Sequence, residues 1–249
     1  LQRGETKLDR EGRDYWIKPL RDLGAIEPAY LDAKTRTFLP GHPVAKSPNS
    51  AYRLSATFKD VLLAPDQSVE RQLRHWASET EVRKRVEFQA RVEKDAAAQV
   101  TTKHSDLIRA CVQHYVPAFL PGYEVVYVDE TDGERVTDED RRTLTNAGIE
   151  ITLADAMPDV LLWNRSTDSL WVIEAVTSDG EVDNHKVQQM NKLAERSGKQ
   201  GIEFTTAYES WKVVAARQKK YRNVAPGTYI WIQEDAAKHF LAESFPWSP

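Results

Sequence analysis

The sequence predicts a mixed α/β fold in which a smaller module precedes a larger domain, and three stretches carry that prediction. Met157 to Trp163 and Leu170 to Ser178 are β-branched and aromatic runs joined by the polar turn Asn164 to Ser169, the pattern of a hairpin of two buried strands. From Ser68 to about Val100, dense charge of both signs is interrupted by Val69, Leu73, Trp76, Val82, Val86 and Val92 at intervals that fit long helices. Beyond Asp183, helical and extended patterns alternate as far as Ile232. At 249 residues the chain can bury a sizeable core, and the changes of pattern divide it into 1–66, a helical linker 67–100 and a domain 101–249. No apolar run is long enough for a transmembrane helix, and the start is polar rather than signal-like. The lone cysteine, Cys111, excludes an internal disulfide and reads as an inert core thiol. Met157 and Met190 are the two methionines, so Leu1 is not a translation start and a longer parent chain is expected.

In chain order, Trp16, Leu20 and Leu23 fall at helical spacing and Gly24 ends a short helix. Ala25 to Pro28 reads as a turn, Thr35 to Leu39 as a small strand, and the Ser47-Pro48-Asn49-Ser50 stretch as a loop. Helix, turn, strand and loop in this order resemble a winged-helix module, which sets a helix in the major groove of DNA. Lys46, Ser47, Asn49, Ser50 and Arg53 are the residue types that contact phosphates and base edges; the competing reading is a Pro-rich surface loop. Net charge is −4, which excludes a uniformly cationic protein, but its distribution is uneven. Residues 1–60 hold 11 Lys and Arg against 8 Asp and Glu, whereas 128–159 hold 3 against 10, so phosphates would favour the first region and avoid the second. Arg83, Lys84 and Arg85, in a helix rich in both signs, read as a solvated face.

Lys103 to Tyr115 predicts a helix that ends at Pro117 or Pro121, with Leu107, Ile108, Cys111 and Tyr115 facing inward. A strand from Tyr123 to Asp129 leads to the hairpin. Each hairpin strand carries one acid, Asp159 at its start and Glu174 near the end of the next. Two readings are open on spacing alone: solvated strand ends, or oxygen ligands for a hard divalent cation that can activate phosphoryl chemistry. Positions 174, 176 and 178 share one face of a strand, which groups Glu174 with Val176 and Ser178. Asp183 is a candidate N-cap for the following helix, with His185 and Lys186 in its first turn. Lys186 could reach back to the acids or lie in solvent; His185 could position water or contact phosphate. Gly198 to Gly201 then turns into a strand Ile202 to Ala207, a helix Glu209 to Lys220 follows, and Tyr229 to Ile232 is the last strand, with a short Ala236–Leu241 segment behind it.

Several ordered blocks resemble the BsuBI/PstI family of type II restriction endonucleases, a branch of the PD-(D/E)XK nucleases. They are Pro158-Asp159 with Glu174-Ala175-Val176 to Asp183, Gly201 to Tyr208, Thr228 to Ile232, and Pro40 to Leu54. The resemblance implies a restriction-endonuclease-like core behind the winged-helix-like module. It implies a cytoplasmic Mg²⁺-dependent endonuclease, with Mn²⁺ as a substitute, that cuts double-stranded DNA as a homodimer. No membrane is involved, and a cognate DNA methyltransferase accompanies the enzyme without necessarily binding it. Asp159, Glu174 and the backbone carbonyl of Val176 are then metal ligands, and Asp106 stands where the family pattern leads one to expect a helical Glu. A helix-dipole role for Asp106 competes. Val176 takes the place of the superfamily's usual catalytic Lys, and Lys186 is the candidate replacement. Ser178 and His185 join Lys46, Ser47, Asn49, Ser50 and Arg53 as DNA contacts. Two alternatives stay open: a winged-helix binding module whose nuclease fold no longer cuts, and a defence nuclease of weak specificity within a longer chain.

Overall fold

The computed structural model describes residues 17–41, 48–97, 102–129, 136–152, 155–177 and 180–244. The chain divides into two compact units, Leu1–Gln99 and Val100–Pro249.

In the first unit a short helix, α1 (Lys18–Asp22), ends at Gly24, whose φ of 70° suits a residue without a side chain. The next residues, expected to turn, instead form strand β1 (Ile26–Leu31), the centre of an antiparallel sheet with β2 (Phe38–Pro40) and β3 (Ser50–Leu54). Pro28 argues against a central strand from sequence, because it lacks a donor. Here burial of Ala25, Ile26 and Ala29 outweighs that loss. Ser55 caps α2 (Ala56–Leu62), and α3 (Asp66–Trp76) and α4 (Glu79–Ala97) complete the unit. The described helices of the stretch expected as a helical linker, α3 and α4, belong to this unit. Trp76 is buried against Ala25 and Val61, Arg85 lies 3.7 Å over its ring, and Gln89 donates to the Ile26 carbonyl at 3.3 Å.

The second unit is a six-stranded sheet, β4 to β9 in sequence order, with helices on both faces. Helix α5 begins as Lys103–Ala110, passes through a π turn at Cys111–Tyr115 and ends as Val116–Phe119. It therefore passes Pro117, the second residue after the π turn, and ends at Phe119, short of Pro121, the other of the two expected stops. Strand β4 (Tyr123–Val128) pairs with β5 (Val160–Asn164), which forms the expected hairpin with β6 (Ser169–Val176). Between β4 and β5 lies α6 (Asp138–Asn146), in a stretch that the sequence marks only by its acidity. Thr137 and Asp140 close a capping box at its start, and its first-turn acids oppose the helix dipole favourably.

After β6, helix α7 (Asn184–Arg196) crosses over to β7 (Gly201–Tyr208), which runs parallel to β6; α8 (Trp211–Lys220) leads to the parallel β8 (Thr228–Ile232). β8 is followed by a further strand, β9 (His239–Ala242), antiparallel to it, where the sequence suggests only a short segment. Side-chain alternation in β6 sorts the two cores. Trp171, Ile173 and Ala175 face α5, while Leu170 and Val172 face α7 with Met190, Leu193 and Ala194. The aromatic ends of the α5 layer lock β9 in place: His239 stacks between Phe119 and Tyr229 at 4.5 and 4.7 Å and shares a 3.3 Å hydrogen bond with the Tyr115 hydroxyl. Burial holds the imidazole below its ordinary pKa.

Candidate active site

The parity of β6 sends Glu174 to the α7 face of the sheet. There it is 6% exposed, too buried for an unpaired carboxylate. The Asp183 side chain accepts the Lys186 backbone N–H at 2.8 Å, which fixes the first turn of α7 beside the end of β6. Lys186 reaches back from that turn, and its Nζ lies 2.8 Å from Glu174 Oε1. Both side chains are shielded, so the ion pair works in a medium of lower dielectric than water. Val176, buried on the same strand face, has no charge to offer.

Asp159 stands just before β5, against the neighbouring strand. Its Oδ2 accepts the Ala175 N–H at 2.7 Å, and its carbonyl accepts the Asp129 N–H at 2.8 Å. The carboxylate is thus oriented by the backbone of the residue that follows Glu174. His104, in the first turn of α5, brings Nε2 to 3.4 Å from Asp159 Oδ1, and both side chains are 14% exposed. Farther along the same helix face, Cys111 is fully buried. Burial and then the Asp159 charge raise its thiol well above the ordinary range, so it stays protonated and inert.

A family model described as the BsuBI/PstI restriction endonuclease domain matches residues 88–242, which hold every one of these side chains. The chain belongs to the BsuBI/PstI restriction endonuclease family. The type II restriction enzyme BsuBI of Bacillus subtilis is 31% identical over 139 residues, covering 56% of this chain and 42% of that protein. The chain therefore spans about two fifths of the length of that relative. The SdaI restriction endonuclease structure aligns over 98% of this chain and 77% of its own, at 19% identity and a TM-score of 0.49.

Within this BsuBI/PstI domain, Asp159, Glu174 and Lys186 come together at one end of β5 and β6. Asp106 does not join them. It is exposed and paired with Arg109 at 2.9 Å, because two residues of α-helix turn it about 200° away from His104. His104 is the residue that sequence reasoning missed. Its signal is helical phase: position 104 is in step with the inward Leu107, Ile108 and Cys111, whereas the family pattern directs attention to an acid. His185 is exposed and hydrogen-bonded to Gln189 at 2.9 Å. Asn49, Ser50 and Arg53 belong to the first unit, where Arg53 pairs with Glu27 at 2.6 Å across β1 and β3. Lys46, Ser47 and Ser178 lie outside the described residues.

Type II restriction endonucleases generally use divalent metal ions. Among the described residues no three His, Cys, Asp or Glu side chains already close around one point. The donor chemistry nonetheless fits such an ion. Ligand atoms adjacent in an octahedral shell are about 3 Å apart, near the observed Asp159–His104 separation. At Glu174 the Lys186 ammonium offsets the carboxylate charge.

Proposed function

We propose that the protein is a metal-dependent endonuclease that hydrolyses phosphodiester bonds of double-stranded DNA, a type II site-specific deoxyribonuclease of a restriction–modification system. The observation that carries this reading is the shielded Glu174–Lys186 pair beside an Asp159 oriented by the Ala175 N–H. Asp159 and Glu174, with the Val176 carbonyl, are the groups that would hold the ion, Mg²⁺ with Mn²⁺ as a substitute. When bound, it polarises the phosphate and lowers the pKa of a water. The Ala175 N–H keeps the Asp159 carboxylate from rotating. Lys186 places an ammonium next to the reacting phosphate, where it donates to the oxygens on which negative charge builds and orients the attacking water.

The first unit supplies DNA contacts as a winged-helix-like module through Lys46, Ser47, Asn49, Ser50 and Arg53. Ser178 and His185 add contacts from the catalytic unit. Cutting a palindrome requires a homodimer whose two-fold axis matches that of the site. Among the described helices none is long and apolar enough to cross a membrane. Membership of a restriction endonuclease family supports a cytoplasmic enzyme acting beside a methyltransferase of the same specificity. Incubating plasmid DNA with the protein and Mg²⁺, or with EDTA, tests the proposal. Discrete fragments that require the metal are expected. A smear would reduce the assignment to a nuclease of weak specificity, and intact DNA retarded on a gel would leave only a binding module. For the first unit, Lys46→Ala with Arg53→Ala is expected to weaken DNA binding and flatten its salt dependence by about one unit for each phosphate that is no longer neutralised. Unchanged salt dependence would return this loop to a purely structural role.

A further inference from the structure

We propose that His104 is a nitrogen ligand in the divalent-metal site, and that this makes the site prefer Mn²⁺ to Mg²⁺ more strongly than an all-oxygen site would. The inference rests on the nuclease reading of Asp159 and Glu174. Its first support is helical phase. His104 lies on the face of α5 that carries Leu107, Ile108 and Cys111 into the core, so the imidazole is directed to the end of the sheet and not to solvent. A capping box between Thr102 and Ser105 fixes this first turn, with the Ser105 N–H donating to Thr102 at 3.0 Å and the Thr102 N–H to Ser105 at 3.0 Å.

The second support is the division of labour within the Asp159 carboxylate. Oδ2 takes the Ala175 N–H at 2.7 Å, and Oδ1 is the oxygen that faces Nε2 of His104. One ion between them would gain an anionic oxygen and a neutral nitrogen with little movement of either side chain. Glu174 already shares its charge with Lys186, so it adds less negative charge to the site than a solitary carboxylate would. Mg²⁺ takes oxygen ligands and parts reluctantly with its water, whereas Mn²⁺, the first member of the transition series in which affinity for nitrogen climbs, gains more from one imidazole than Mg²⁺ does, though less than the later metals would.

The test uses the full chain and the metal alone. Mn²⁺ bound to the protein is examined by electron spin-echo envelope modulation for a directly coordinated ¹⁴N, and Mn²⁺ and Mg²⁺ affinities are measured by calorimetric titration. The wild-type protein is expected to show the nitrogen coupling. His104→Ala and His104→Asn, checked for folding by circular dichroism, are expected to lose it and to weaken Mn²⁺ binding about tenfold or more, with a smaller change for Mg²⁺. The Asn variant keeps a polar group of similar reach and serves if the Ala variant fails to fold. Coupling that persists in both variants, or is absent from a wild-type site whose Mn²⁺ is lost on Asp159→Asn, would overturn the role of His104 while leaving the metal site standing. Mn²⁺ binding indifferent to Asp159→Asn would overturn the site itself, and the inference with it.

Discussion

Two buried glutamates seven residues apart, Glu174 and Glu181, are each neutralised by a cation on a following helix, one a lysine and the other an arginine, and the two cations hold their partners differently. Glu181 is held by Arg217 through two hydrogen bonds of 2.7 and 2.5 Å, with a third from Asn223 at 3.3 Å. The planar fork matches the carboxylate edge and ties α8 to the segment after β6. Lys186 meets Glu174 through a single nitrogen at the end of a flexible stem. A point charge of that kind can move between a carboxylate and a phosphate, and a bidentate guanidinium cannot without breaking two bonds. The same stretch of chain thus has one pair joined by a two-point fork and one joined through a single nitrogen.

The sharpest way to break the comparison is to remove the acids at the lysine end. Asp159→Ala and Glu174→Ala are each expected to abolish cleavage, since loss of a ligand removes several kcal/mol, roughly, of transition-state stabilisation. Plasmid digestion by either variant at the parental rate would displace the active site from this end of the sheet. Lys186→Ala should come next, lowering the single-turnover rate by ~10²–10⁴ while DNA affinity changes far less. Lys186→Arg should not restore the rate fully, because a fork cannot place one compact charge. Val176→Lys combined with Lys186→Ala returns the amine to the strand position usual in the superfamily, and partial recovery is expected.

At the arginine end the expected change is in stability. Arg217→Ala strands a buried carboxylate and should cost about 3–5 kcal/mol in denaturant unfolding, with dependence on pH as its signature. Burial pushes the Glu181 carboxyl up, but the Arg217 and Asn223 hydrogen bonds outweigh it, so the folded value lies below the ordinary 4.5. The pair therefore stabilises fully above that ordinary value, and its contribution is lost as pH falls through the lower folded one. Glu181→Gln should remove this acid limb of the stability profile. The same limb surviving in that variant would assign it to other carboxylates.

The hairpin and the strand β7 were legible because a buried strand announces itself by β-branched residues between turn signals. The reach of Lys186 to Glu174 was legible too, since Asp183 as N-cap fixes where the first turn of α7 begins. What escaped has physical reasons. Pro28 reads as a turn, yet in β1 the apolar neighbours on either side hold it in a strand. The acids around α6 invite an argument about phosphate repulsion, which hides the Thr137–Asp140 capping box. β9 is a four-residue edge strand whose place depends on stacking of His239 between rings from α5 and β8, contacts that no local pattern encodes. His104 is hidden by chemistry rather than by pattern, because the family motif calls for an acid on a helix whose inward phase belongs to an imidazole.

The π turn in α5 has a consequence for how the gene tolerates insertions and deletions. It accommodates one residue beyond the α-helical repeat between Cys111 and Tyr115. Deleting the exposed Gln113 would remove that extra residue and let the helix run on as regular α with Val116–Phe119 close to its present phase, since four α-helical residues turn about as far as the five of the π segment. Phe119 would keep its place against the His239 ring, and His104, upstream of the deletion, its approach to Asp159. The π turn thereby absorbs a change of length between two fixed contacts: the first turns of the helix stay at the Asp159 end of the sheet, and the last at its closing strand.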